Sequence, residues 1–205
     1  MKRLAFILAA VLTLSFAGMA SSVTYANGID ANYPPSGYVG EDGKPAGFDV
    51  DAMTWIAAKM GFEVVHQPMD WDGIIPALLA RKIDMVCSGM SITPARLEQV
   101  NFSNPYWTLS KVFLVRSDSN LTLDDIKTGS YRVGVQRGTS EHDHLEVMRD
   151  NGAKFELRFY DSSPLAIHDL LIGRLDAGGL DSPPAEDYLR KGKAVKVTAA
   201  SVARQ

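Results

Sequence analysis

A short polar segment that ends in an arginine has the composition of an anion-binding site. Within residues 88–96, Ser88, Gly89 and Ser91 offer hydroxyl groups and backbone donors and acceptors, and Arg96 falls in the first turn of a predicted helix. The planar guanidinium group can bind a carboxylate through two parallel hydrogen bonds, and a helix N-terminus adds a preference for negative charge. The spacing therefore indicates a carboxylate site at Arg96; a solvated surface arginine is the alternative.

Two further segments carry polar groups directly after apolar runs. Gly138, Thr139 and Ser140 follow one run and precede a predicted helix, so backbone N–H groups could hold an anion there. Asp181 follows another run, where its carboxylate could receive an ammonium group. The alternatives are an ordinary strand-to-helix turn with a capping hydroxyl for the first segment, and a helix cap before residues 183–184 for Asp181.

Together these groups match the backbone of one small molecule, a free amino acid. Its carboxylate would bind Arg96 and the amides of residues 139–140. Its ammonium group would bind Asp181 and hydrogen-bond acceptors near Gly89 and Ser91. Opposite charges at the two ends of the site favour a zwitterionic ligand.

Aromatic residues could form the walls around a ligand side chain. Tyr33 and Trp71 could supply apolar area or attract a cation, and both could equally belong to the core. Trp55 lies within a predicted helix and is expected in the core. His142 and His144 lie two residues apart on a predicted helix and do not share a face, which favours a solvated surface over a metal site.

Short apolar runs alternate with amphipathic stretches, which indicates an α/β fold. The pattern predicts strands over residues 23–29, 62–66 and 83–87, helices over residues 49–60 and 74–80, and a third helix that begins at Thr93 and Pro94. The predicted buried face of the first helix consists of Val50, Met53, Ala57 and Met60. The second half predicts strands over residues 131–135, 154–160 and 175–178, and helices over residues 140–149 and 164–172.

A local repeat supports two units of similar design. Residues 78–84 resemble residues 170–176 at an offset of 92 positions, at the same point in each half. We therefore expect lobe 1 over residues 21–115 and lobe 2 over residues 116–205, with the crossing between them in residues 111–120. In open α/β sheets ligands bind beside the carboxyl ends of the strands, so the cleft between two such lobes is the expected site.

The N-terminal segment and the charge of the chain are those expected of an exported protein. The chain has 205 residues and a formal net charge of −3. This slightly acidic balance does not indicate the basic surface that a nucleic-acid-binding protein needs. Residues 1–20 combine a basic start with an apolar run too short to span a bilayer. We therefore expect a signal peptide cleaved after Ala20, with a membrane anchor as the alternative. Cleavage there removes Lys2 and Arg3 and leaves 19 basic against 24 acidic residues. The sequence has one cysteine, Cys87, so it cannot form an internal disulfide.

Seven segments resemble the family 3 extracellular solute-binding proteins, the amino-acid receptors of ABC importers. They occupy residues 30–35, 47–51, 70–78, 88–96, 101–106, 133–139 and 173–181, and they run in the order that the family has. Seven motifs in register are far more specific than one. The resemblance implies a two-lobed, type II fold like that of periplasmic binding proteins, with a ligand cleft between lobes that close by a hinge.

The resemblance also implies roles for individual residues. It assigns the ligand's carboxylate to Arg96 and residues 139–140, and the ammonium group to Asp181 with Gly89 and Ser91. The residues that it places at the ligand side chain are Asp30, Tyr33, Trp71 and Glu141. The carboxylates of Asp30 and Glu141 favour a polar or basic side chain, such as that of Lys, Arg, His or Gln. The expected ligand-binding residues are Asp30, Tyr33, Trp71, Ser88, Gly89, Met90, Ser91, Arg96, Gly138, Thr139, Ser140, Glu141 and Asp181.

The partners that the resemblance implies are a free amino acid and the membrane permease of an ABC importer. The receptor is expected in the periplasm as a monomer, without a cofactor, a metal ion or nucleic acid. An enzyme similar to cyclohexadienyl dehydratase on the same scaffold is the alternative, with Glu141 as a general acid. No motif requires that chemistry, so we expect a binding protein and no enzyme.

Two features depart from the family pattern. Ser36 stands where the family usually has a bulky aromatic residue, so one wall of the pocket is expected to be open unless Tyr38 replaces it. The chain ends at Gln205, whereas family members continue through a further strand and C-terminal helices that return to lobe 1. We therefore expect this C-terminal return to be missing and part of the core of lobe 1 to lack cover.

Overall fold

Strands and helices alternate along residues 22–201, the part of the chain that the computed structural model describes. The expected signal peptide lies outside these residues. The helices are α1 (Phe48–Met60), α2 (Ile74–Leu79), α3 (Pro94–Leu97), α4 (Leu123–Thr128), α5 (Ser140–Asp150), α6 (Ser163–Leu171) and α7 (Ser182–Arg190), and a 3₁₀ turn covers Trp71–Gly73. Within the described ranges, no helix is long and apolar enough to cross a membrane.

The strands form three sheets. They are β1 (Thr24–Ile29), β2 (Asn32–Tyr33), β3 (Gly37–Val39), β4 (Pro45–Ala46), β5 (Glu63–Pro68), β6 (Met85–Val86), β7 (Lys111–Arg116), β8 (Arg132–Gln136), β9 (Glu156–Tyr160), β10 (Ala177–Asp181) and β11 (Val195–Ser201). The sheet orders are β5-β1-β6, β11-β7-β10-β8-β9 and β2-β3-β4. The α/β alternation predicted from the sequence is confirmed, with element ends that differ by a few residues.

The two larger sheets contain the same parallel arrangement. β1 lies between β5 and β6, and β8 lies between β9 and β10, with all four pairings parallel. In each half the first of the three strands is therefore the middle one. The second sheet extends further, because β7 pairs antiparallel with β10 and β11 pairs antiparallel with β7.

Two glycines mark equivalent places in these arrangements. Gly28 in β1 faces Ile83, and Gly134 in β8 faces Leu175. A Cβ added to either glycine would lie only 2.4 Å from the Ile83 Cδ1 atom or 2.3 Å from the Leu175 Cδ1 atom. Ile83 and Leu175 are 92 positions apart, which is the offset of the sequence repeat. The sequence repeat thus has a structural counterpart. In each half, an apolar residue between a helix and the next strand packs on the glycine of the middle strand.

The core of the five-stranded sheet lies on both of its faces. Alternate residues of β7 divide between the two faces: Val112 and Leu114 pack with α6, whereas Phe113 and Val115 pack with α4 and α5. All four side chains are buried. A strand covered on both faces needs an almost continuous apolar run, which is why residues 112–115 lack the polar alternation of a surface strand.

The structure corrects two predictions about α1. Trp55 was expected in the core and Met60 on the buried face, yet their exposed fractions are 63% and 72%. Val50 and Ala57 are the apolar residues that α1 buries. Trp55 lies about 140° around the helix from Val50 and faces outward, with Lys59 Nζ 5.6 Å from its ring centroid. Met60 is the last residue of the helix, beyond the buried surface.

The expected crossing over residues 111–120 also differs from the structure. Residues Lys111–Arg116 form β7, which lies between β10 and β11 rather than between two sheets. The boundary expected after residue 115 therefore falls inside a strand. Residues 98–110 connect α3 to β7 and contain no strand or helix, so the chain passes from the first sheet to the second before β7.

Candidate ligand-binding site

A small, partly open cavity lies where the loops after β1 and β6 meet the loops after β8 and β10. Its volume is about 20 Å³, room for about one water molecule. Eleven of the thirteen residues that the sequence nominated line it, together with Gln136. The lining residues are Asp30, Tyr33, Trp71, Ser88, Gly89, Ser91, Arg96, Gln136, Thr139, Ser140, Glu141 and Asp181.

The two remaining nominated residues lie next to the cavity. Met90 is partly buried and packs against the cluster that contains Trp71 and Ile74. Gly138 contributes its carbonyl oxygen, which accepts hydrogen bonds from Trp71 and Arg96. Tyr38, considered as a replacement aromatic wall, is not among the residues that line the cavity.

Arg96 is buried at the start of α3 with its charge directed to the cavity. The Thr93 hydroxyl accepts a hydrogen bond from the Arg96 backbone N–H at 3.3 Å, and Pro94 occupies the first turn, as the sequence predicts. Arg96 Nη1 donates to the Ser91 carbonyl at 2.8 Å and Nη2 to the Gly138 carbonyl at 3.0 Å. Burial lowers the pKa of Arg96, but an arginine side chain in a protein stays cationic.

Asp181 ends β10 and is 4% exposed. Its Oδ2 atom accepts a 2.6 Å hydrogen bond from the Tyr33 hydroxyl, whereas its buried Oδ1 atom has no partner among the described residues. Burial raises the pKa of Asp181 well above its usual value, and the neighbouring Glu141 raises it further, through its negative charge and by accepting a hydrogen bond from the protonated form of Asp181. Burial and the Asp181 charge likewise raise the pKa of Tyr33.

Glu141 lies in the first turn of α5 and forms a buried ion pair. Lys111 Nζ donates to Glu141 Oε1 at 2.6 Å and to Ser140 Oγ at 2.7 Å. Burial acts to raise the pKa of Glu141, but hydrogen bonds and the Lys111 charge outweigh it and leave the pKa lowered. The sequence grouped Glu141 with Asp30 at the ligand side chain; in the structure its neighbours are Lys111, Ser140 and Asp181.

Asp30 belongs to a second buried polar network. Its backbone N–H donates to Ser88 Oγ at 2.9 Å, and its Oδ2 atom accepts from Gln136 Nε2 at 2.8 Å. Ser163 Oγ donates to the other side of the Gln136 amide at 2.8 Å. Sequence reasoning did not nominate Gln136 or Lys111. The position of Gln136 at the carboxyl end of β8 was the available signal for the first.

Among residues 22–201, five hydrogen bonds join residues that follow strands of the first sheet to residues that end or follow strands of the second. Two are Tyr33 to Asp181 and Gln136 to Asp30. The others are the indole N–H of Trp71 to the Gly138 carbonyl at 2.9 Å, Arg96 to the same carbonyl, and the Ser140 hydroxyl to the Ser91 hydroxyl at 3.2 Å. The cavity is therefore closed by direct contacts across the two sheets.

His142, expected on a solvated helix surface, is in fact mostly buried, with a side chain that is 19% exposed. The Gly138 N–H donates to His142 Nδ1 at 3.2 Å, and His142 Nε2 lies 3.3 Å from Glu146 Oε1. Among residues 22–201, no group of three or more His, Cys, Asp or Glu side chains could hold a metal ion.

Comparison with known families places most of the described chain in one of them. Residues 25–201 match the bacterial extracellular solute-binding proteins of family 3. ABC transporter arginine-binding protein 1 of Escherichia coli is 35% identical over 191 residues, which cover 93% of this chain and 75% of that protein. The L-cystine-binding protein TcyJ of Escherichia coli is 33% identical over 182 residues, which cover 87% of this chain and 66% of the relative. The chain thus spans about two thirds to three quarters of these relatives.

Solved structures share the fold. An ancestral arginine-binding protein bound to arginine superimposes with a TM-score of 0.81 at 37% identity, covering 87% of this chain and 79% of the other. The ancestral amino-acid-binding protein AncCDT-1, a precursor of cyclohexadienyl dehydratase, gives a TM-score of 0.80 at 34% identity, covering 87% and 78%. The two-lobed α/β fold expected from the sequence is confirmed by these likenesses.

Proposed function

The chain belongs to the bacterial extracellular solute-binding proteins of family 3, and we propose that it binds a free amino acid and delivers it to an ABC importer. One observation carries this proposal. The buried Arg96 guanidinium and the unpartnered Oδ1 atom of Asp181 line the same cavity. A zwitterion with a carboxylate and an ammonium group on one carbon satisfies both, which an anion or a cation alone does not.

The carboxylate would bind at Arg96 and at the N-terminus of α5. Thr139 caps that helix by accepting from the His142 N–H at 3.2 Å, so its hydroxyl is fixed beside the first turn. The partial positive charge of the helix start adds to that of Arg96. To reach Arg96, the carboxylate would replace the Gly138 or Ser91 carbonyl as hydrogen-bond acceptor.

The ammonium group would bind Asp181, with the Gly89 carbonyl and the Ser91 hydroxyl as further acceptors. The Tyr33 hydroxyl already orients Asp181 through its Oδ2 atom. Ammonium binding requires ionised Asp181, and a raised pKa means that acid weakens binding at a higher pH than it would for an ordinary aspartate.

The ligand side chain would lie toward Asp30, between Tyr33 and Trp71. Lys111 already neutralises Glu141, so Asp30 remains the carboxylate that can accept a positive or polar group. Each carboxylate oxygen of Asp30 accepts one hydrogen bond and keeps a second lone pair. We therefore favour a polar or basic amino acid, and the arginine-binding relatives make arginine the first ligand to test.

A purely binding role fits the state of Glu141 better than catalysis. A general acid must carry a proton at the working pH, whereas the buried ion pair with Lys111 favours the ionised form of Glu141. We infer that the molecule acts without a chemical step, as a periplasmic monomer exported by a cleaved signal peptide. We also propose two lobes that separate within residues 98–110 and close on the ligand.

The test is a thermal melt of the purified protein with each of the twenty amino acids, followed by calorimetric titration. A ligand at one hundred times its Kd should stabilise the protein by about 2.7 kcal/mol. Asp181→Asn should abolish the shift, while Asp118→Asn, at a side chain 83% exposed, should retain it. A cooperative melt that no amino acid shifts would contradict the proposal.

A further inference from the structure

Lys111 is a buried cation that does not line the cavity. It is the first residue of β7 and is 7% exposed. β7 pairs antiparallel with β10, and Lys111 lies directly opposite Asp181 in that register. Opposite residues of an antiparallel pair project from the same face with neighbouring Cβ atoms. Lys111 therefore lies behind the part of the cavity wall that Asp181 and Glu141 form.

The contacts of Lys111 are made with groups that do line the cavity. Its Nζ atom donates to Glu141 Oε1 at 2.6 Å and to Ser140 Oγ at 2.7 Å. Ser140 Oγ lies 3.2 Å from Ser91 Oγ, across the cavity. Both side chains of the ion pair are more than nine-tenths buried, so water screens the pair weakly.

This part of the wall, the Lys111–Glu141–Asp181 cluster, carries two carboxylates and one ammonium group. Its net charge of −1, with all three groups ionised, is balanced by one ligand ammonium group. Without Lys111, two neighbouring buried carboxylates would face the cavity with a net charge of −2. Two such carboxylates do not both ionise readily, because each raises the pKa of the other.

We propose that Lys111 is a positioning residue that sets the charge of the ammonium subsite: by neutralising Glu141 from behind, it leaves Asp181 to receive the ligand's ammonium group. The inference rests on the proposed amino-acid-binding function and deepens it. Lys111 touches no ligand and acts through Glu141. The charged and titratable groups that face the cluster or belong to it are Tyr33, Arg96, Lys111, Glu141, His144 and Asp181.

The pH dependence of binding tests this role. The Kd for L-arginine would be measured by calorimetry from about pH 4 to about pH 8.5, where the ligand's own carboxylate and side chain do not titrate. The readout is the pH at which half of the plateau affinity is lost. In Lys111→Met this midpoint should rise by about 1 to 3 pH units, because an opposite charge has been removed from a carboxylate pair.

Three further variants separate charge from structure. Lys111→Arg keeps the charge and should bring the midpoint back toward that of the wild type. Glu141→Gln should lower the midpoint, because it removes the like charge beside Asp181. The double variant Lys111→Met, Glu141→Gln should restore a midpoint near the wild-type value. Because it removes both ions together, it should also fold where Lys111→Met alone leaves a buried carboxylate unpaired.

The outcomes distinguish this inference from the proposed function. If the wild type binds L-arginine but neither Lys111→Met nor Glu141→Gln moves the midpoint, the inference is overturned and the receptor function stands. If L-arginine does not bind, the series is run with the amino acid that gives the largest thermal shift. If none of the twenty amino acids binds a folded wild-type protein, the proposed function itself fails.

Discussion

Arg96 is oriented before a ligand reaches it. Its guanidinium group donates to the Ser91 and Gly138 carbonyls and lies 5.5 Å from the Trp71 ring centroid. These three contacts fix the plane of the group, so a carboxylate can exchange for a carbonyl without a search among rotamers. Pre-organisation of this kind reduces the entropy lost on binding.

Arg96→Lys should weaken amino-acid binding about 10- to 100-fold. Lysine keeps the positive charge but loses the two parallel donors, and charge-assisted hydrogen bonds of this kind contribute about 1.5 to 3 kcal/mol. Calorimetric titration measures the loss. Arg137→Lys is the matched control, since the Arg137 side chain is 52% exposed and should leave Kd within about twofold. Equal effects of the two substitutions would contradict the role given to Arg96.

The hydrogen bonds of His66 define its tautomer. The Cys87 N–H donates to Asn27 Oδ1 at 2.6 Å, which directs the Asn27 amide nitrogen to His66 Nδ1 at 3.1 Å. Nδ1 must therefore accept, and Nε2–H donates to Thr54 Oγ1 at 3.2 Å. Burial lowers the pKa of His66, because the charged imidazolium form would lose hydration there.

Stability should therefore fall as the pH drops through the ordinary histidine range. With a lowered pKa in the folded state, the unfolded chain binds more protons below about pH 6.5, so the free energy of unfolding decreases there by at most about 1.4 kcal/mol per pH unit. Urea titrations between about pH 5 and pH 8 measure this slope. His66→Gln should reduce this slope and His168→Gln, at a side chain 69% exposed, should not. Burial also lowers the pKa of His144, which accounts for slope that remains. A slope as steep in His66→Gln as in the wild type would exclude His66 as a source.

At the scale of elements, the start of α1 holds the loop that presents Tyr33. The Phe48 and Asp49 N–H groups donate to the Pro35 and Ser36 carbonyls, each at 3.0 Å. Gly47 permits this contact, since its φ is +123° and a Cβ there would lie 2.5 Å from the Ser36 carbonyl oxygen. The glycine therefore determines how the loop approaches the cavity.

Gly47→Ala should destabilise the protein by about 2 to 4 kcal/mol. The substitution adds backbone strain at a positive φ and a contact with backbone atoms that cannot rotate away. Denaturant unfolding measures the change. Gly73→Ala is the control, because Gly73 has a φ of −89° and nothing lies within 4 Å of its added Cβ. If the two variants were equally stable, the close approach at Gly47 would not be a constraint.

Periodicity predicted most elements because each has a local cause. Gly61 ends α1 in a left-handed conformation, Thr93 caps α3 and Thr139 caps α5. Periodicity could not predict which face of α1 packs against the rest of the protein, because that depends on residues distant in sequence. Trp55 is exposed for this reason. Residues 111–115 read as a crossing only while their partners β10 and β11 were unknown.

Residues that line the cavity could be predicted where charge and loop position gave a signal. Arg96, Asp181 and Asp30 follow strand ends or begin helices, and all three line the cavity. Lys111 lies at the start of a strand, where no rule of sequence places a ligand site, and its importance depends on the register that sets it opposite Asp181. Pairing register of this kind is a long-range property that a local reading does not contain.

At the scale of the whole molecule, closure and binding should be linked. A cavity of about 20 Å³ has room for about one water molecule, so we expect a ligand to enter while the two sheets lie further apart. The five hydrogen bonds across the cavity would then form or exchange as the lobes close. Gln136 to Asp30 is the one that joins two buried side chains away from the proposed carboxylate and ammonium subsites.

Gln136→Ala should therefore speed ligand release. Of the hydrogen bonds of the Gln136 side chain, the one to Asp30 crosses the cavity, and the others lie within the second sheet's half. Loss of that one buried bond costs about 1 kcal/mol, which corresponds to about a fivefold faster dissociation, while the association rate should change less. A chase of bound radiolabelled arginine with excess unlabelled arginine gives the rate. Gln99→Ala is the control, since the side-chain amide of Gln99 donates to the Ala95 carbonyl of its own turn and lies outside the cavity lining. A slower association with unchanged release would contradict this link.

The bond from Trp71 to Gly138 also gives the molecule an internal optical reporter. The chain contains three tryptophans, of which Trp55 and Trp107 are 63% and 48% exposed and Trp71 is 7% exposed. Separation of the lobes would break the indole hydrogen bond and expose the Trp71 ring, which is the buried one of the three. The emission spectrum and its quenching by iodide should therefore follow opening and closing in an unlabelled protein, with the largest change in exposure at Trp71.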